Sequence, residues 1–347
     1  MTQSYKQELQ LLLKQNLPWH CLAGKTILLS GAAGMIGKCL VDLLMQCNES
    51  ILSDCPVTII ALSRNEENAV QRLGEHWDKE TFQYICCDVN QGIPECGKVD
   101  YVIHAASNTH PLQYSGDPIG TITTNVFGTK NLLDYAVLHQ SQRFCFVSSV
   151  EVYGENRGDV DRYKEDYLGY LDCNTLRAGY PESKRVGEAL CNAYAKTYQL
   201  DFVIPRLSRV YGSTMLVSDS KAISQFIKKA AAGEDIILKS DGTQCYSYTY
   251  ALDAASGILT VLLKGMHGEA YNISDDESEV TLRQITEWLM EDFGVNLFFD
   301  IPDAREKEGY STATKALMDT GKVKDLGWQP QTHMRDGLRR TVLRLRG

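Results

Sequence analysis

The feature that most constrains the fold of this chain is a glycine-rich turn at residues 30–37, with the sequence SGAAGMIG. It follows an apolar run at residues 26–29 and precedes a segment of helical periodicity at residues 38–46. Glycines allow a tight turn and a close approach of the backbone to a pyrophosphate, whose charge a helix N-terminus stabilises. The spacing is G-x-x-G-x-x-G rather than G-x-G-x-x-G, so a plain strand-to-helix turn is the alternative.

Strands and helices alternate along the first two thirds of the chain. Apolar runs predict strands at residues 57–62, 83–87, 101–107, 144–147 and 201–205. Helical periodicity predicts helices at residues 117–138 and 180–198. This order predicts an α/β fold with a doubly wound, Rossmann-like parallel sheet. Pro205 is expected near the end of its strand, because proline cannot donate a ladder hydrogen bond.

The same order of predicted strands and helices divides the chain into three segments. Residues 1–24 form an N-terminal helical extension, in which Tyr5, Leu9, Leu12, Leu13 and Leu17 share one helical face. Residues 25–206 form the dinucleotide-binding domain. Residues 207–347 form mainly a smaller C-terminal substrate lobe, with some segments returning to the first domain. In open α/β sheets the ligand cleft lies at the carboxyl ends of the strands, which here places it between the lobes.

Composition excludes several classes of partner. The chain has 347 residues and a formal net charge of −9, which argues against nucleic acid. A few cations in one cleft can still bind an anionic ligand. The 11 cysteines include no C-x-x-C pair, so we expect buried thiols in a reducing compartment and no metal site. The chain has no long apolar run and no signal-peptide pattern, which predicts a cytoplasmic protein that does not contact membranes.

Side chains at the ends of the predicted strands are candidates for cofactor contacts. At the end of the second strand an acid would bind the 2′-hydroxyl of NAD, whereas an arginine suits the 2′-phosphate of NADP. Arg64 therefore favours NADP, with NAD possible, and the alternative is an exposed arginine at a helix start. Asp88 follows the third strand and could meet the adenine amino group. His104 lies among apolar neighbours, which favours a hydrogen-bonded core histidine over a catalytic one.

A tyrosine and a lysine carry the predicted chemistry. Tyr180 and Lys184 are spaced i, i+4 and so share one helix face. A nearby ammonium group lowers a tyrosine pKa from its usual value of about 10. Tyr180 is thus a candidate base for removing a proton from a sugar hydroxyl while hydride leaves the same carbon. The alternative is a solvated tyrosine–lysine pair.

The glycine turn, Ser149 and the Tyr180/Lys184 pair, in this order, resemble the extended short-chain dehydrogenase/reductase family. The resemblance covers roughly residues 25–345 and is greatest to the nucleotide-sugar branch, in particular UDP-glucuronate decarboxylases and sugar-nucleotide 4,6-dehydratases. The matching segments are residues 104–107 (HAAS), the Pro111, Tyr114 and Pro118 spacing, residues 151–154 (EVYG), residues 184–188 (KRVGE) and residues 326–328 (LGW).

The resemblance implies an enzyme that oxidises a nucleotide-linked sugar transiently at carbon 4 and then dehydrates or decarboxylates it. Ser149 would hydrogen-bond the reacting hydroxyl, Tyr180 would be the base, and Lys184 would hold the nicotinamide ribose. Glu151 matches the glutamate that removes the carbon-5 proton in dehydratases, although it could also be a plain polar residue. The cofactor-binding residues are predicted to be Gly31, Gly34, Met35, Ile36, Gly37, Ser63, Arg64, Asp88, Val89, Ala105, Ala106, Ser107, Asn125, Tyr180 and Lys184.

Three departures from the family point to a specialised substrate. Val150 stands where dehydratases have aspartate and decarboxylases have serine. Tyr246 stands where many relatives have an arginine that binds the substrate pyrophosphate, and Arg209 where many have asparagine. Arg209 could restore the missing cation. Ser107, Arg209 and Tyr246 are the predicted substrate-binding residues.

The sequence leaves other functions open and also predicts a homodimer. A nucleotide-sugar 4-epimerase, an NADPH-dependent reductase and a non-catalytic cofactor-binding sensor are the alternatives. Family members often form homodimers through the two helices predicted here at residues 117–138 and 180–198. In the second helix Val186, Ala189, Leu190 and Ala193 form an apolar stripe, which could equally be ordinary core.

Overall fold

The computed structural model describes residues 1–109, 116–300 and 314–347. Within these residues the largest sheet has eight strands. Numbered in chain order, they are β1 (Thr26–Ser30), β2 (Thr58–Ser63), β3 (Phe82–Cys86), β4 (Tyr101–His104), β5 (Arg143–Phe146), β6 (Ser148–Ser149), β7 (Phe202–Leu207) and β11 (Ala270–Ile273). The strands pair in parallel in the order β11-β7-β5-β4-β1-β2-β3, with β6 also beside β7.

Helices cover both faces of this sheet. The helices of the described residues, in chain order, are α1 (Gln3–Leu12), α2 (Met35–Asn48), α3 (Glu66–Leu73), α4 (Pro118–Leu138), α5 (Gly179–Tyr198), α6 (Ala222–Ala232), α7 (Ala251–Lys264), α8 (Leu282–Phe293), α9 (Gly321–Asp325) and α10 (Met334–Arg346). Ile27 and Leu29 of β1 pack with residues of α1, α2 and α7, whereas Leu28 packs with residues of α4 and α5. Burial on both faces explains why β1 is a continuous apolar run. The predicted doubly wound, Rossmann-like fold is confirmed.

The strand order changes direction between β1 and β4. The chain moves from β1 to β2 and β3 on one side, and then crosses to β4, β5 and β7 on the other. The connections that follow β1 and β4 therefore run to opposite faces of the sheet and leave a crevice between them, which is where open α/β sheets bind their ligands.

Pro205 does not end its strand, because β7 continues to Leu207. The Ile204 N–H donates to Glu269 O, towards β11. The nitrogen of Pro205 therefore faces the opposite side, where β5 pairs with Val203 and β6 starts opposite Arg206. Proline is tolerated because its missing donor coincides with the break between β5 and β6.

A smaller sheet in the second half of the chain contains β8 (Arg209–Tyr211), β10 (Cys245–Tyr250), β12 (Asp275–Thr281) and β14 (Lys315–Ala316). Strand β9 (Ile236–Leu238) pairs with β13 (Leu297–Phe299). β10 is parallel to β8 and antiparallel to β12. Since β8 follows β7 after a single residue, the smaller sheet starts at the carboxyl edge of the large one.

The N-terminal extension is packed onto the rest of the protein. Its helix ends at Leu12, and a short 3-10 turn follows at Trp19–Leu22. Tyr5, Leu9 and Leu12 are buried, and so are Leu13 and Leu17 beyond the helix end. None of the helices in the described part of the chain is long and apolar enough to cross a lipid bilayer.

Candidate active site

The glycine turn lies directly against the end of β4. Gly31 has a φ of 75°, and a Cβ there would lie 2.7 Å from Ala106 N and 2.8 Å from the carbonyl oxygen of Ala105. A side chain at this position would collide with backbone that cannot move aside. The turn therefore requires glycine, and it brings Ala105 and Ala106 to the floor of the crevice.

Helix α2 begins at the end of this turn. Gly34 is its N-cap, in extended conformation, and no side chain of the described residues caps the first turn. The N–H groups of Met35, Ile36 and Gly37 and the helix dipole thus have the arrangement that favours a bound anion. The residues predicted to contact a pyrophosphate are brought together as the local sequence indicated.

The predicted adenosine contacts lie at the ends of β2 and β3. Arg64 is exposed, and its Nη2 donates to Asn108 Oδ1 at 3.2 Å. Ser63 Oγ lies 3.2 Å from Tyr84 OH. Asp88 accepts the Asn90 N–H at 3.0 Å and caps the short turn that begins at Val89. This cluster lies on the β2–β3 side of the sheet, across the crevice from the catalytic candidates on β6 and α5.

A chain of hydrogen bonds connects the end of β4 to the start of α5. Ser107 Oγ donates to Asn125 Oδ1 at 2.7 Å, and the fully buried Asn125 donates through Nδ2 to Ser183 Oγ at 2.8 Å. Ser183 Oγ donates to the carbonyl oxygen of Tyr180 at 2.9 Å. Ser183 was missed in the sequence, although its position three residues after Tyr180 places it on the same side of the helix.

Tyr180 and Lys184 are both buried in the first turns of α5. Lys184 Nζ donates to the carbonyl oxygen of Val147 at 2.9 Å and lies 4.8 Å from the ring centroid of Phe146. Burial lowers the pKa of Lys184 to about 8. The strand end thus holds an ammonium group in a dry environment, which excludes a solvated pair.

His104 is a hydrogen-bonded core histidine, as the sequence indicated. Its ring is fully buried, with Nδ1 2.7 Å from Ser30 Oγ and Nε2 3.0 Å from Thr129 Oγ1. Burial lowers its pKa well below the usual value, and the nearby Lys184 charge acts in the same direction. The ring is therefore neutral.

Ser149 and Glu151 are placed by the turn that follows β6. Ser149 Oγ accepts the Glu151 N–H at 3.3 Å and begins the 3-10 turn Val150–Tyr153. Val150 is buried, whereas the Glu151 side chain is 34% exposed. Glu151 Oε1 lies 3.8 Å from Arg209 Nη2. The turn thus directs the carboxylate outwards and the valine into the core.

A largely buried ion pair between Arg206 and Glu188 supports this strand end. Arg206 Nε and Nη2 donate to Glu188 Oε1 at 3.0 Å and Oε2 at 2.7 Å. Ser148 Oγ donates to the same Glu188 Oε1 at 2.6 Å, and Arg206 Nη1 donates to Tyr153 OH at 3.0 Å. These bonds hold β6 and the 3-10 turn on both sides of Ser149. A bidentate arginine–carboxylate pair gives this support a defined geometry.

The two positions that depart from the relatives are in contact. The Cζ atom of Arg209 on β8 lies 3.9 Å from the ring centroid of Tyr246 on β10. Lys221, which the sequence analysis missed, lies near the same group: its Nζ is 3.6 Å from Asp219 Oδ2, and the charges of Arg209 and Glu151 both influence its pKa. Burial lowers the pKa of Lys221. A single lysine in a loop belongs to no motif, so the sequence gives no indication that Lys221 lies near Arg209 and Glu151.

A possible metal-binding group lies outside this crevice. Ligand atoms of Asp42, Glu75 and His76 lie within 4.8 Å of one another. Lys38 Nζ already contacts Asp42 Oδ2 at 3.0 Å and Glu75 Oε1 at 3.2 Å, and Tyr5 OH donates to Asp42 at 2.9 Å. The carboxylates of Asp42 and Glu75 thus already form ion pairs with the Lys38 ammonium group, which occupies the place of a metal cation. Pro111 and Tyr114, which are part of the spacing that carries the family resemblance, lie outside the described residues.

Comparison with known proteins gives consistent matches along the chain. Residues 27–274 match the NAD dependent epimerase/dehydratase family. UDP-glucuronic acid decarboxylase 6 of Arabidopsis thaliana is 32% identical, covering 90% of this chain and 86% of that protein. UDP-glucuronic acid decarboxylase 1 of Danio rerio is 30% identical, covering 92% and 72%. The dTDP-glucose 4,6-dehydratase DesIV of Streptomyces venezuelae, solved with NAD bound, has a TM-score of 0.78 at 28% identity, covering 92% of this chain and 97% of that one.

Proposed function

The chain belongs to the NAD dependent epimerase/dehydratase family, and on this premise we propose that it modifies a nucleotide-linked sugar through transient oxidation at carbon 4, followed by dehydration or decarboxylation. The observation that best supports the proposal is the placement of Ser149, Tyr180 and Lys184 on two adjoining elements, β6 and α5, at the carboxyl end of the sheet. Glu151 and Arg209 extend this group into the cleft.

The crevice fits a nicotinamide dinucleotide. A Cβ at Gly31 would fill the space beside Ala105 and Ala106, and the first N–H groups of α2 suit a pyrophosphate. Bound there, the cofactor would accept a hydride from the sugar and return it. In the proposed division of the chain, residues 25–206 hold the cofactor and residues 207–347 provide most substrate contacts.

NADP is the proposed preference, with NAD accepted. Arg64 supports it, because an exposed guanidinium follows β2, where the adenosine ribose is bound in dinucleotide folds. Asn108 holds this guanidinium towards the end of β4. The relatives with solved structures include enzymes with NAD bound.

Tyr180 is proposed to remove the proton of the sugar 4-hydroxyl, with Ser149 as hydrogen-bond partner of the reacting oxygen. Lys184 follows four residues later on the same helix, and its ammonium charge would favour the phenolate of Tyr180. The Ser107–Asn125–Ser183 chain fixes the start of α5 relative to the end of β4. The base is therefore held on a rigid element beside the crevice floor.

The second step is assigned to Glu151. A ketone at carbon 4 acidifies the proton at carbon 5, so one carboxylate suffices to remove it. The Arg209 guanidinium lies 3.8 Å from this carboxylate. Val150 provides no proton for a leaving hydroxyl. In decarboxylation the bond between carbon 5 and the carboxyl carbon would break, carbon dioxide would leave, and the resulting enolate would take up a proton at carbon 5. Glu151 is therefore proposed as the carbon-5 base for the dehydration only.

Product analysis tests the proposal. The protein is incubated with UDP-glucuronate, dTDP-glucose and related nucleotide sugars, and the products are identified by mass. Loss of water or of carbon dioxide without net cofactor consumption supports the proposed sequence. A product of unchanged mass would indicate a 4-epimerase, and stoichiometric cofactor oxidation a reductase. Cofactor binding without turnover of any sugar would indicate a sensor.

A homodimer through α4 and α5 is also proposed. Ile119, Ile122 and Phe127 of α4 are exposed. On α5, Val186, Ala189 and Ala193 are exposed as well, which argues against the alternative that they are ordinary core. Two adjacent helices with outward apolar faces suit a helical bundle between two copies.

The eleven free cysteines support a reducing compartment such as the cytoplasm.

A further inference from the structure

A cavity of about 810 Å³ lies between α2, α3, the segment at residues 213–218 and the end of α10. Its lining does not include the helix-start residues Met35, Ile36 and Gly37 that form the proposed pyrophosphate site. A volume of this size accommodates a small molecule. The cavity thus differs from the proposed cofactor crevice in the elements that form its walls.

The charged side chains that line the cavity are three cations and one carboxylate: Lys38, Arg72, Arg344 and Glu75. Lys38 is already paired with Glu75 at 3.2 Å and with Asp42 at 3.0 Å. Within the described ranges, neither arginine has a carboxylate within ion-pair distance. Two guanidinium charges therefore remain without an anion.

The surroundings of these arginines are short of hydrogen-bond acceptors. Arg72 Nη2 donates to the carbonyl oxygens of Gly34 at 3.3 Å and Thr214 at 2.6 Å, while the guanidinium of Arg344 lies 4.1 Å from the ring centroid of Tyr5. Arg72 Nε and Arg344 Nη1 are buried with no hydrogen-bond partner among the residues described. Burial lowers the pKa of Arg72; the nearby Asp42 charge opposes this effect, and the like charge of Arg344 adds slightly to it. Buried, unsatisfied donors of like charge are unfavourable unless an anion accompanies them.

We propose that this cavity binds a phosphate-bearing small molecule through Arg72 and Arg344, at a site separate from the cofactor and the sugar substrate. Phosphate oxygens match the fork geometry of guanidinium groups and accept several hydrogen bonds at once. Asn68 and Gln71 on α3 and Ser218 on the facing segment offer further polar groups. No activity of the crevice is assumed in this assignment.

Inorganic pyrophosphate is the probe, titrated calorimetrically into the full-length protein saturated with its nicotinamide cofactor, so that the crevice is already filled. Arg344→Gln should weaken pyrophosphate binding about tenfold or more, as expected for loss of a charge-assisted contact. Arg339→Gln is the matched control, because Arg339 lies on the same helix, is exposed and pairs with Asp292. Arg344 is preferred to Arg72 for this test, since Arg72 also holds the carbonyl of Gly34 in the glycine turn.

A second variant keeps the test valid if Arg344→Gln does not fold. Asn68→Asp changes one atom type and adds a negative charge to the cavity wall, so it should also weaken pyrophosphate binding. The proposal is overturned if pyrophosphate does not bind the saturated protein, if it competes with the cofactor, or if Arg344→Gln and Arg339→Gln bind it equally well.

Discussion

Arg209 Nη2 lies 3.8 Å from Glu151 Oε1, although Arg209 belongs to the small sheet and Glu151 follows a strand of the large one. Glu151 lies in the 3-10 turn after β6, and Arg209 begins β8, the first strand of the small sheet. The same guanidinium stacks on Tyr246 at 3.9 Å. The proposed carbon-5 base is thus held by a cation whose own position depends on the second lobe.

Replacing Arg209 should affect substrate binding more than turnover. Arg209→Gln removes the cation between Glu151 and Tyr246, and we expect KM for the nucleotide sugar to rise about tenfold or more, the range of a charge-assisted contact. Arg283→Gln is a control, since Arg283 also stacks on an aromatic ring in the second half of the chain, that of Phe299. Steady-state kinetics of both variants measure the effect, and equal KM values would contradict it.

Glu151→Gln tests the second step of the proposed reaction. Glutamine keeps the size of the side chain but cannot act as the base, so oxidation at carbon 4 should proceed and a bound 4-keto sugar should accumulate. With the unmodified enzyme in deuterated water, the dehydration product should carry deuterium at carbon 5. Mass spectrometry detects both. Glu182→Gln is the control, since Glu182 is a partly exposed glutamate in the first turn of α5. A fully active Glu151→Gln variant without label at carbon 5 would exclude this role.

The pKa of Lys184 predicts a pH-dependent stability. Burial lowers this pKa from 10.5 to about 8 in the folded chain. Between these values the unfolded chain binds more protons than the folded one, so stability rises with pH, by up to about 3 kcal/mol. Lys184→Met has no proton to release and should lack this gain. Urea unfolding of both proteins from about pH 7 to pH 10 measures the difference, and parallel pH profiles would argue against the lowered pKa.

Arg64→Ala should reduce NADP affinity selectively. The guanidinium can contact only the extra 2′-phosphate strongly, so we expect about tenfold or greater loss for NADP and little change for NAD. Arg64→Lys keeps the charge and should retain part of the preference. Fluorescence titration with each cofactor provides the comparison. Equal losses for NAD and NADP, or none, would remove the basis of the proposed preference.

Phe127→Asp tests the dimer. The Phe127 side chain is 54% exposed on the outer face of α4, and a charge there should disrupt an apolar interface and yield monomers at micromolar concentration. Leu343→Asp is the matched control, because Leu343 is similarly exposed, at 56%, but lies on α10. Sedimentation velocity measures the mass of each protein. A monomeric wild type, or a dimeric Phe127→Asp variant, would be inconsistent with the interface.

The local sequence was sufficient to predict those parts of the protein whose geometry depends on residues adjacent in the chain. The glycine turn, the start of α2 and the i, i+4 placement of Tyr180 and Lys184 all follow from backbone conformation over a few residues. Six of the eight strands of the large sheet were predicted, because buried strands produce continuous apolar runs, whereas β6 and β11 were not. The doubly wound order then follows from the alternation of strands and helices.

Only the tertiary structure decided which distant residues meet. Asn125 and Ser183 are joined because α4 and α5 pack on the same face of the sheet, and Glu151 meets Arg209 because β8 begins where β7 ends. Pro205 could be placed within its strand only once the break between β5 and β6 was known. Such contacts depend on strand register and helix packing, and these are set by the interactions of the whole core. The residues that meet therefore show no periodic pattern in the sequence that would identify them as partners.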